Sequence, residues 1–526
     1  MLRPYIFIIA ILFTACAPTV KRVVLISDGA RRVFETQAIT VQDVLREQQI
    51  PVGDNDRVDP PLFAEVARST TIVVTRVEIR TEAASQPIPF TRQVVRDESY
   101  PQGQIRVLQL GANGNVAITH TVTIEDGKEI SRREAARKIV AQPKDEILAL
   151  GTQGSIASVP ISGTIAYLSY RNAWVMRHSS GEKRPLTTQG DLDGRVFSLS
   201  PDGRYLLFSR GADESTGVQL NARTLNSLWI VDTLVIGETP RALNINDVIW
   251  AQLSPDTHSL AYSTGEKTPG APGWKARNDL WIAPLIVGEG SVSVKPSQQI
   301  WKPNVVAPYA WWGANFAWAS DTRVIAYAFA NEIGLAEVGD RATNDNPVPR
   351  RVLKTFAPFR TRADWVWIPK VEWSPDSRFV VGVVHAPLGN PRVASDDPTF
   401  EVWALARDGS VSAALAKQTG MWSAPVWSPV GARGESRIAF GVSLSPTDSE
   451  RSRYALTLMD RDGGNKKQIF PQADEAGLAV VQIAWSSNTQ QIITIRDGDL
   501  WLCDLASNRW SQLTANGASS LPRWGK

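Results

Sequence analysis

Side chains that commonly carry catalysis are few in this chain of 526 residues, and they lack catalytic spacing. The histidines do not form the His-x-x-x-His or adjacent His-Glu pairs of metal sites: His120, His178, His258 and His385. No Gly-x-Ser-x-Gly segment is present to place a nucleophilic serine on a sharp turn. Two acidic, glycine-containing segments lack the twelve-residue pattern of calcium loops, so they predict solvated turns: Asp191-Leu192-Asp193-Gly194 and Asp497-Gly498-Asp499. We therefore predict that the protein is not an enzyme and uses no metal or cofactor.

One cysteine is placed to receive a lipid. Arg3 precedes an apolar run at 5–13, which is too short for the roughly 20 residues that span a bilayer. A charged start, an apolar middle and a small residue at Ala15 are typical of a signal peptide. Cys16 follows directly, and this arrangement resembles the bacterial lipobox, with Phe13 where leucine is usual. The resemblance implies a signal peptide over 1–15, lipidation of Cys16 and an anchor on the outer face of the cytoplasmic membrane. A plain signal peptide is the alternative.

Tryptophan is unusually frequent, with 19 residues. Ten fall in predicted strands, where packing between sheets explains them: Trp174, Trp229, Trp281, Trp318, Trp373, Trp403, Trp427, Trp485, Trp501 and Trp524. Another six fall in predicted connections and are the candidate ligand-binding residues: Trp274, Trp311, Trp312, Trp365, Trp367 and Trp422. Exposed aromatic rings anchor sugars and proteins. The alternative is that these rings fold inward and fill gaps between loops.

The elements that would carry these residues begin with a small module. Two strand-like runs flank Asp28-Gly29, a strong hairpin signal. Thr40 is the expected N-cap of an amphipathic helix through Val41, Val44 and Leu45. The sequence at 40–60 resembles the β-grasp domain of resuscitation-promoting factors and related cell-wall proteins. This resemblance implies a ubiquitin-like domain over residues 16–75.

Residues 76–153 resemble a G-five domain. The match is carried by residues along the whole segment: Ile88-Pro89-Phe90, Gly103, Arg106-Val107, Gly111, Gly114, Gly127-Lys128-Glu129, Ser131-Arg132, Pro143, Ile147 and Gly151-Thr152. Alternating apolar residues at 116–124, followed by Asp126-Gly127, predict an extended β-ribbon with little core. The resemblance implies binding to N-acetylated sugars of the cell wall and surface adhesion. A plain stalk is the alternative.

The remaining chain is a repeat array. A turn phrase, Ser-Pro-Asp-Gly or a decayed copy after an apolar residue, recurs at 54- to 65-residue steps: 199–203, 253–256, 318–321, 373–376, 427–429 and 485–488. Short apolar strands follow each copy, which predicts four antiparallel strands per repeat. The phrase resembles the TolB-type, WD-like propeller repeat over residues 162–526.

The two ends of the array predict how it closes. Segments 164–168, 173–176 and 184–186 supply strands two to four of one more repeat, and residues 520–524 supply its first strand. Six complete repeats and one split repeat predict a seven-bladed β-propeller in a mainly β protein. Pairing of the two ends removes open sheet edges.

Connectivity predicts one elaborated side. Loops between second and third strands emerge on the same side as connections between repeats, because strands alternate in direction. Long loops of the first kind are expected at 211–226, 265–278, 385–400 and 443–453. The six candidate tryptophans belong to this side, while the short Ser-Pro-Asp-Gly turns lie on the other. Loops carry function more often than the scaffold beneath them.

The net charge is only +3, and lysine and arginine residues are not concentrated in any part of the chain. This charge distribution excludes a nucleic-acid partner. The sequence thus predicts a non-catalytic cell-surface lipoprotein. Its N-terminal modules would bind cell-wall glycan or surface polysaccharide, and the propeller would bind a protein or glycan partner. Two alternatives stay open: a scaffold subunit of an envelope complex, and a carbohydrate-active enzyme with its site on the propeller face.

Overall fold

The structure, a computed structural model, describes residues 20–153, 156–211, 224–288, 291–305, 310–339, 348–363, 365–388 and 391–526. This described part is mainly β, as predicted. Cys16 and the expected signal peptide lie outside it. Within the described ranges no helix is long and apolar enough to cross a membrane. The chain forms two compact units, one built from residues up to 92 with 109–146, and one from 93–108 with 147–526.

The first unit opens with a four-stranded sheet. Its elements are β1 (Lys21–Ser27), β2 (Ala30–Thr36), α1 (Val41–Glu47), β3 (Arg57–Asp59) and β4 (Ser69–Thr75). The sheet order is β2-β1-β4-β3, with β1 parallel to β4, and Val41, Val44 and Leu45 of α1 are buried with it. Thr40 caps α1 as predicted. Its hydroxyl accepts from the Asp43 N–H, and the Asp43 carboxylate accepts from the Thr40 N–H.

Long strands follow, as the ribbon prediction requires. They are β5 (Val77–Ile88), β6 (Arg92–Pro101), β7 (Ile105–Gln109), β8 (Gly114–Glu125), β9 (Lys128–Ala141) and β10 (Glu146–Gln153). Two three-stranded sheets form, in the orders β5-β8-β9 and β6-β10-β7. Asp126 and Gly127 turn from β8 into β9 with positive φ angles of 46° and 79°. Buried apolar residues of the first sheet lie on β8, so the ribbon has little core of its own.

Seven further sheets occupy the rest of the second unit. The first contains β11 (Pro160–Ser169) and β12 (Asn172–Pro185). The next two contain β13 (Leu192–Leu199), β14 (Tyr205–Gly211), β15 (Asn226–Asp232) and β16 (Arg241–Asn246), then β17 (Val248–Leu253), β18 (Ser259–Lys267), β19 (Trp274–Ala276), β20 (Leu280–Gly288), β21 (Ser291–Val294) and β22 (Gln298–Trp301).

Four more sheets follow, each in chain order. The fourth and fifth sheets contain β23 (Asn315–Trp318), β24 (Val324–Phe329), β25 (Glu332–Glu337) and β26 (Arg350–Thr355), and β27 (Val371–Trp373), β28 (Phe379–His385), β29 (Phe400–Ala406) and β30 (Ser412–Ala416). The sixth sheet contains β31 (Val426–Trp427), β32 (Arg437–Ser443), β33 (Tyr454–Asp460) and β34 (Lys467–Phe470). The seventh sheet contains β35 (Ile483–Trp485), β36 (Gln491–Arg496), β37 (Asp499–Asp504) and β38 (Arg509–Gln512). Short 3-10 helices lie at Ala310–Trp312, Pro391–Asp396 and Pro446–Asp448.

The C-terminal strand β39 (Ser519–Gly525) pairs antiparallel with β11, which confirms the expected pairing of the two ends. One detail differs from the prediction. Residues 184–186 do not form a separate fourth strand, because β12 runs continuously from Asn172 to Pro185, and the sheet therefore has three strands. The N–H of Leu186 still returns to the Ala173 carbonyl, so this segment lies beside the start of β12.

Buried side chains link the seven sheets in a cyclic order. Each of seven apolar clusters contains residues from two sheets that follow one another, and one of them joins the last sheet to that of β11. The edge strands are also linked. Arg523 of β39 donates to the Phe197 carbonyl of β13, and the Leu521 N–H donates to the Gln482 side chain before β35. Each sheet thus has a packed neighbour on both sides.

Candidate functional site

One arginine that the sequence analysis did not single out organises the N-terminal unit. The Arg76 guanidinium contacts Asp28 and Asp56, each at 2.7 Å, and the Pro51 carbonyl. Its backbone N–H donates to the Asp126 carboxylate of the β8–β9 turn at 2.9 Å. Arg76 therefore ties the small four-stranded sheet to the first ribbon sheet. Its contacts are 20 to 50 positions distant in sequence, which local pattern analysis does not detect.

Arg76 helps to lower the pKa values of the carboxylates around it. The hydrogen bond from Arg76, with one from Ser27, lowers the pKa of Asp28 to about 2. Backbone N–H groups of Gly53 and Val77 lower the pKa of Asp56, and Arg76 adds to this effect. Ionised partners on both sides of one guanidinium make this a charge-assisted network.

The edge strand β9 presents a charged surface along its whole length. All of its side chains except Ser131 are exposed. Arg132 bridges Glu82 and Glu129, and Arg137 pairs with Glu134, all at 2.8 Å. Charged side chains on an exposed edge discourage pairing with another strand. The ribbon consequently offers charged and polar groups to solvent.

Three of the candidate tryptophans meet in the second unit and form what we call the first tryptophan cluster. Trp311 and Trp312 contact each other with ring centroids 4.2 Å apart, and Trp274 meets the Trp312 edge at 6.3 Å. The Arg195 guanidinium lies 4.8 Å from the Trp274 ring. Trp274 belongs to β19, which pairs with β18, so a strand occupies part of the predicted loop 265–278. Trp311 is 39% exposed.

Trp365 and Trp422 form the second tryptophan cluster. Their rings stack at 5.6 Å with an interplanar angle of 20°, and Trp422 is 39% exposed. Nε1 of Trp422 donates to the Glu450 carbonyl at 3.2 Å, which fixes the ring beside the loop 444–453. The structure therefore brings residues from two connections and one loop together on one surface, as the connectivity predicted.

Trp367 has a different environment from the other five. It is 1% exposed, donates to the Met421 carbonyl and packs 4.7 Å from Phe400. Together with Phe359 and Val383 these residues form a small apolar core. A buried indole cannot touch a ligand, so Trp367 belongs to the support of the second tryptophan cluster rather than to its surface.

A cleft opens beside the second tryptophan cluster. Its volume is about 440 Å³, and it is lined by residues 359–362 and 447–450 together with Asp396 and Pro398. Its walls come from the connection before β27, from the segment between β28 and β29 and from the loop after β32. Arg362 and Asp448 pair at 3.4 Å and join two of these walls. The lining is mostly polar, with Phe359 as its aromatic member.

His385 holds two walls of this cleft from behind. The side chain is 1% exposed. Nδ1 lies 2.7 Å from the Ala357 carbonyl and Nε2 lies 2.5 Å from the Asp397 carbonyl. Because both ring nitrogens are occupied by carbonyls, His385 acts here as a structural brace.

The edge strand β27 carries a carboxylate with unusual surroundings. Glu372 of β27 is accessible to solvent, yet protein surrounds it, and this desolvation raises its pKa to about 7, while Arg523 opposes the shift. Burial also lowers the pKa of Lys370 and of Arg523.

The remaining reactive residues do not assemble into a site. His178 lies near Glu182 in β12, His258 lies near Asp256 in a turn, and both histidines are exposed. Cys503 is buried in β37, and burial raises the pKa of its thiol to about 12. No group of three or more histidine, cysteine, aspartate or glutamate side chains in the described ranges is arranged to hold a metal ion.

Comparison with protein families identifies two N-terminal domains. A G5 domain model matches residues 79–153, and a G5-linked ubiquitin-like domain model matches residues 23–62. These ranges contain the ribbon strands β6 to β10 and the elements β1 to β3. The comparison thus agrees with both N-terminal resemblances seen in the sequence.

Two curated relatives match part of the chain. The chain is 31% identical over 128 residues to the putative cell wall shaping protein YabE of Bacillus subtilis, covering 24% of this chain and 31% of that protein. It is 25% identical over 166 residues to the resuscitation-promoting factor Rpf2 of Corynebacterium glutamicum, covering 31% of this chain and 44% of that protein. The chain therefore spans less than half of either relative.

Among solved structures, the chain is similar to TolB of Acinetobacter baumannii. The identity is 13%, the comparison covers 85% of this chain and all of that protein, and the TM-score is 0.36. This likeness concerns the fold alone.

Proposed function

We propose that this chain is a non-catalytic protein of the bacterial cell envelope that binds cell-wall glycan through its N-terminal modules and a further partner through its C-terminal sheets. The observation that carries the proposal is the tandem match to a G5-linked ubiquitin-like domain and a G5 domain. Proteins named for cell-wall shaping and resuscitation share this region. In our proposal the β-grasp domain spans 16–75 and the G5 domain 76–153.

The shape of the N-terminal unit supports a binding role. Its ribbon is long, exposed and charged, and its core is small. Such a surface suits hydrogen bonding to N-acetylated sugars, because amide and hydroxyl groups of a glycan accept and donate many weak bonds along an extended strand. Arg76 keeps this surface fixed to the first sheet.

The C-terminal sheets, in the proposal, are the blades of a seven-bladed propeller over residues 162–526. Support comes from the cyclic order of the seven apolar clusters and from the pairing of β39 with β11. The partner would bind on the side that carries both tryptophan clusters. Trp274, Trp311, Trp312, Trp365 and Trp422 would contact it, and Trp367 would support them from below.

Lipidation of Cys16 would hold the protein at the outer face of the cytoplasmic membrane. The lipobox-like sequence before Cys16 motivates this part of the proposal. We expect Cys16→Ser to move the protein from the membrane fraction to the medium, because no acyl chains then anchor it. Fractionation with an antibody measures this. A Ser variant that stays in the membrane fraction would show that the anchor lies elsewhere.

Binding to purified peptidoglycan tests the glycan part of the proposal. We expect the full chain to sediment with peptidoglycan at least tenfold more tightly than a chain limited to 160–526, which keeps β11 to β39 and lacks the N-terminal modules. Equal binding of the two chains would refute the role of those modules. Acidic groups in the cleft, Asp396 and Glu450, make hydrolysis the second function to test. Release of new reducing ends from the peptidoglycan would identify an enzyme instead.

A further inference from the structure

The cleft beside the second tryptophan cluster is preorganised. The Tyr454 hydroxyl donates to the Ser449 carbonyl at 2.7 Å, and the Ser449 hydroxyl accepts from the Met421 N–H at 3.2 Å. The backbone N–H of Arg360 donates to the Ser395 carbonyl at 2.8 Å. His385 braces the opposite walls through carbonyls on both of its nitrogens. A site held in this way loses little conformational entropy when a ligand binds.

The groups that line the cleft select a class of ligand. Guanidinium groups of Arg360 and Arg362 donate, carboxylates of Asp396 and Glu450 accept, and the hydroxyls of the lining do both. Hydroxyl-rich molecules match such an alternation of donors and acceptors. Signs of charge are mixed over the lining, so neither a strongly anionic nor a strongly cationic ligand is favoured.

The volume of the cleft and the aromatic rings beside it restrict the class of ligand further. A volume of about 440 Å³ lies in the range of small-molecule sites. A protein partner needs a broader contact of about 800 Å² on each side. At the side of the cleft the exposed Trp422 ring offers an apolar face, held by its bond to Glu450. One apolar face next to polar groups is complementary to a pyranose ring, which has an apolar C–H face and hydroxyl edges.

We propose that this cleft binds a short, neutral oligosaccharide, with Trp422 contacting the face of one sugar ring and Arg360, Arg362 and Glu450 bonding to hydroxyl groups. The inference rests on the proposed function in one respect, since it takes the unknown partner of this surface to be a glycan. It does not depend on the N-terminal modules.

Amide hydrogen exchange of the full chain, followed by mass spectrometry, locates the binding. The probe is the trisaccharide of N-acetylglucosamine at saturating concentration. We expect slower exchange in peptides that cover 356–363 and 444–453, and we expect Trp422→Ala to abolish that protection. Tyr170→Ala is the matched control, because Tyr170 is an aromatic residue of the second unit with a similar exposure of 42% and is not one of the candidate ligand-binding residues. It should leave the protection unchanged.

A second variant distinguishes a loss of binding from a loss of folding. Arg362→Met keeps the length of an exposed side chain and removes its hydrogen-bond donors. The probe concentration that gives half-maximal protection should therefore rise at least fivefold, while the melting temperature stays the same. Absence of protection in both peptides at saturation, or equal protection in Trp422→Ala, would overturn the inference. Protection at the cleft in a chain that fails to sediment with peptidoglycan would contradict the proposed function alone.

Discussion

At the scale of single residues, the tryptophans show how far spacing alone can assign a role. Positions in first strands predict burial, and Trp318, Trp373, Trp427 and Trp485 are each no more than 6% exposed. Trp365 and Trp367 lie two positions apart in the same connection, but the first stacks on Trp422 and the second is buried. Which ring turns inward depends on Phe400 of β29 and on Met421 of the connection before β31. Sequence analysis therefore identified the group and could not separate its members.

The same contrast predicts different costs for removing the two rings. Trp367→Ala leaves a large cavity among Phe359, Val383 and Phe400, so we expect the free energy of unfolding to fall by about 3–5 kcal/mol. Trp422→Ala removes an exposed ring and should cost less than about 1 kcal/mol. Denaturant titration of both variants measures the difference. Equal losses would show that Trp422 is also part of the core.

At the scale of elements, the repeated turn has a chemical explanation that the sequence pattern implied only in part. The first serine of the phrase is buried, and its hydroxyl accepts from the N–H five residues later, as in Ser200 with Tyr205 and Ser374 with Phe379. The same hydroxyl donates to the following aspartate. Ala319 takes the serine position in one copy and keeps the backbone bonds alone: its N–H donates to the Val324 carbonyl, and its carbonyl accepts from the Thr322 N–H. This turn explains why strand positions after each copy were predictable.

Less predictable were the elements that depend on distant partners. The helix cap at Thr40 and the hairpin turns follow from local signals, and the terminal pairing follows from the count of repeated strands. The continuous path of β12 and the additional strand β19 do not follow from such signals. The cleft does not either, because its walls come from separate repeats. Arg76 is a similar case in the first unit.

Removal of residues 521–526 tests the closing strand. This change deletes most of β39, exposes the edge of β11 and breaks the bonds from Trp524 to the Ser162 carbonyl and from Arg523 to the Phe197 carbonyl. We expect a loss of several kcal/mol or aggregation, since both neighbouring clusters lose a packed side. Thermal melting of the shortened and full chains measures this. A shortened chain with an unchanged melting temperature would contradict closure by β39.

At the scale of the whole molecule, Glu372 should make stability depend on pH. Its pKa of about 7 in the folded chain lies above its ordinary value of 4.5, so folding favours the neutral carboxyl. The resulting contribution is fully present below pH 4.5 and is lost as the pH rises through 7. Glu372→Gln should flatten this part of the pH profile of the denaturation midpoint. Glu337→Gln, an exposed carboxyl of β25, is the control and should leave the slope intact. An unaltered slope in Glu372→Gln would show that the carboxyl is fully hydrated.

The whole chain combines matches to a G5 domain and a G5-linked ubiquitin-like domain with a set of seven linked sheets that carry two tryptophan clusters. Saturable binding to peptidoglycan is the property on which this combination depends. Sedimentation of the full chain with purified peptidoglycan, with soluble glycan fragments as competitors, measures it. We predict saturable binding that the soluble fragments displace. Binding that is absent, or that soluble glycan fails to displace, would contradict a glycan-binding role.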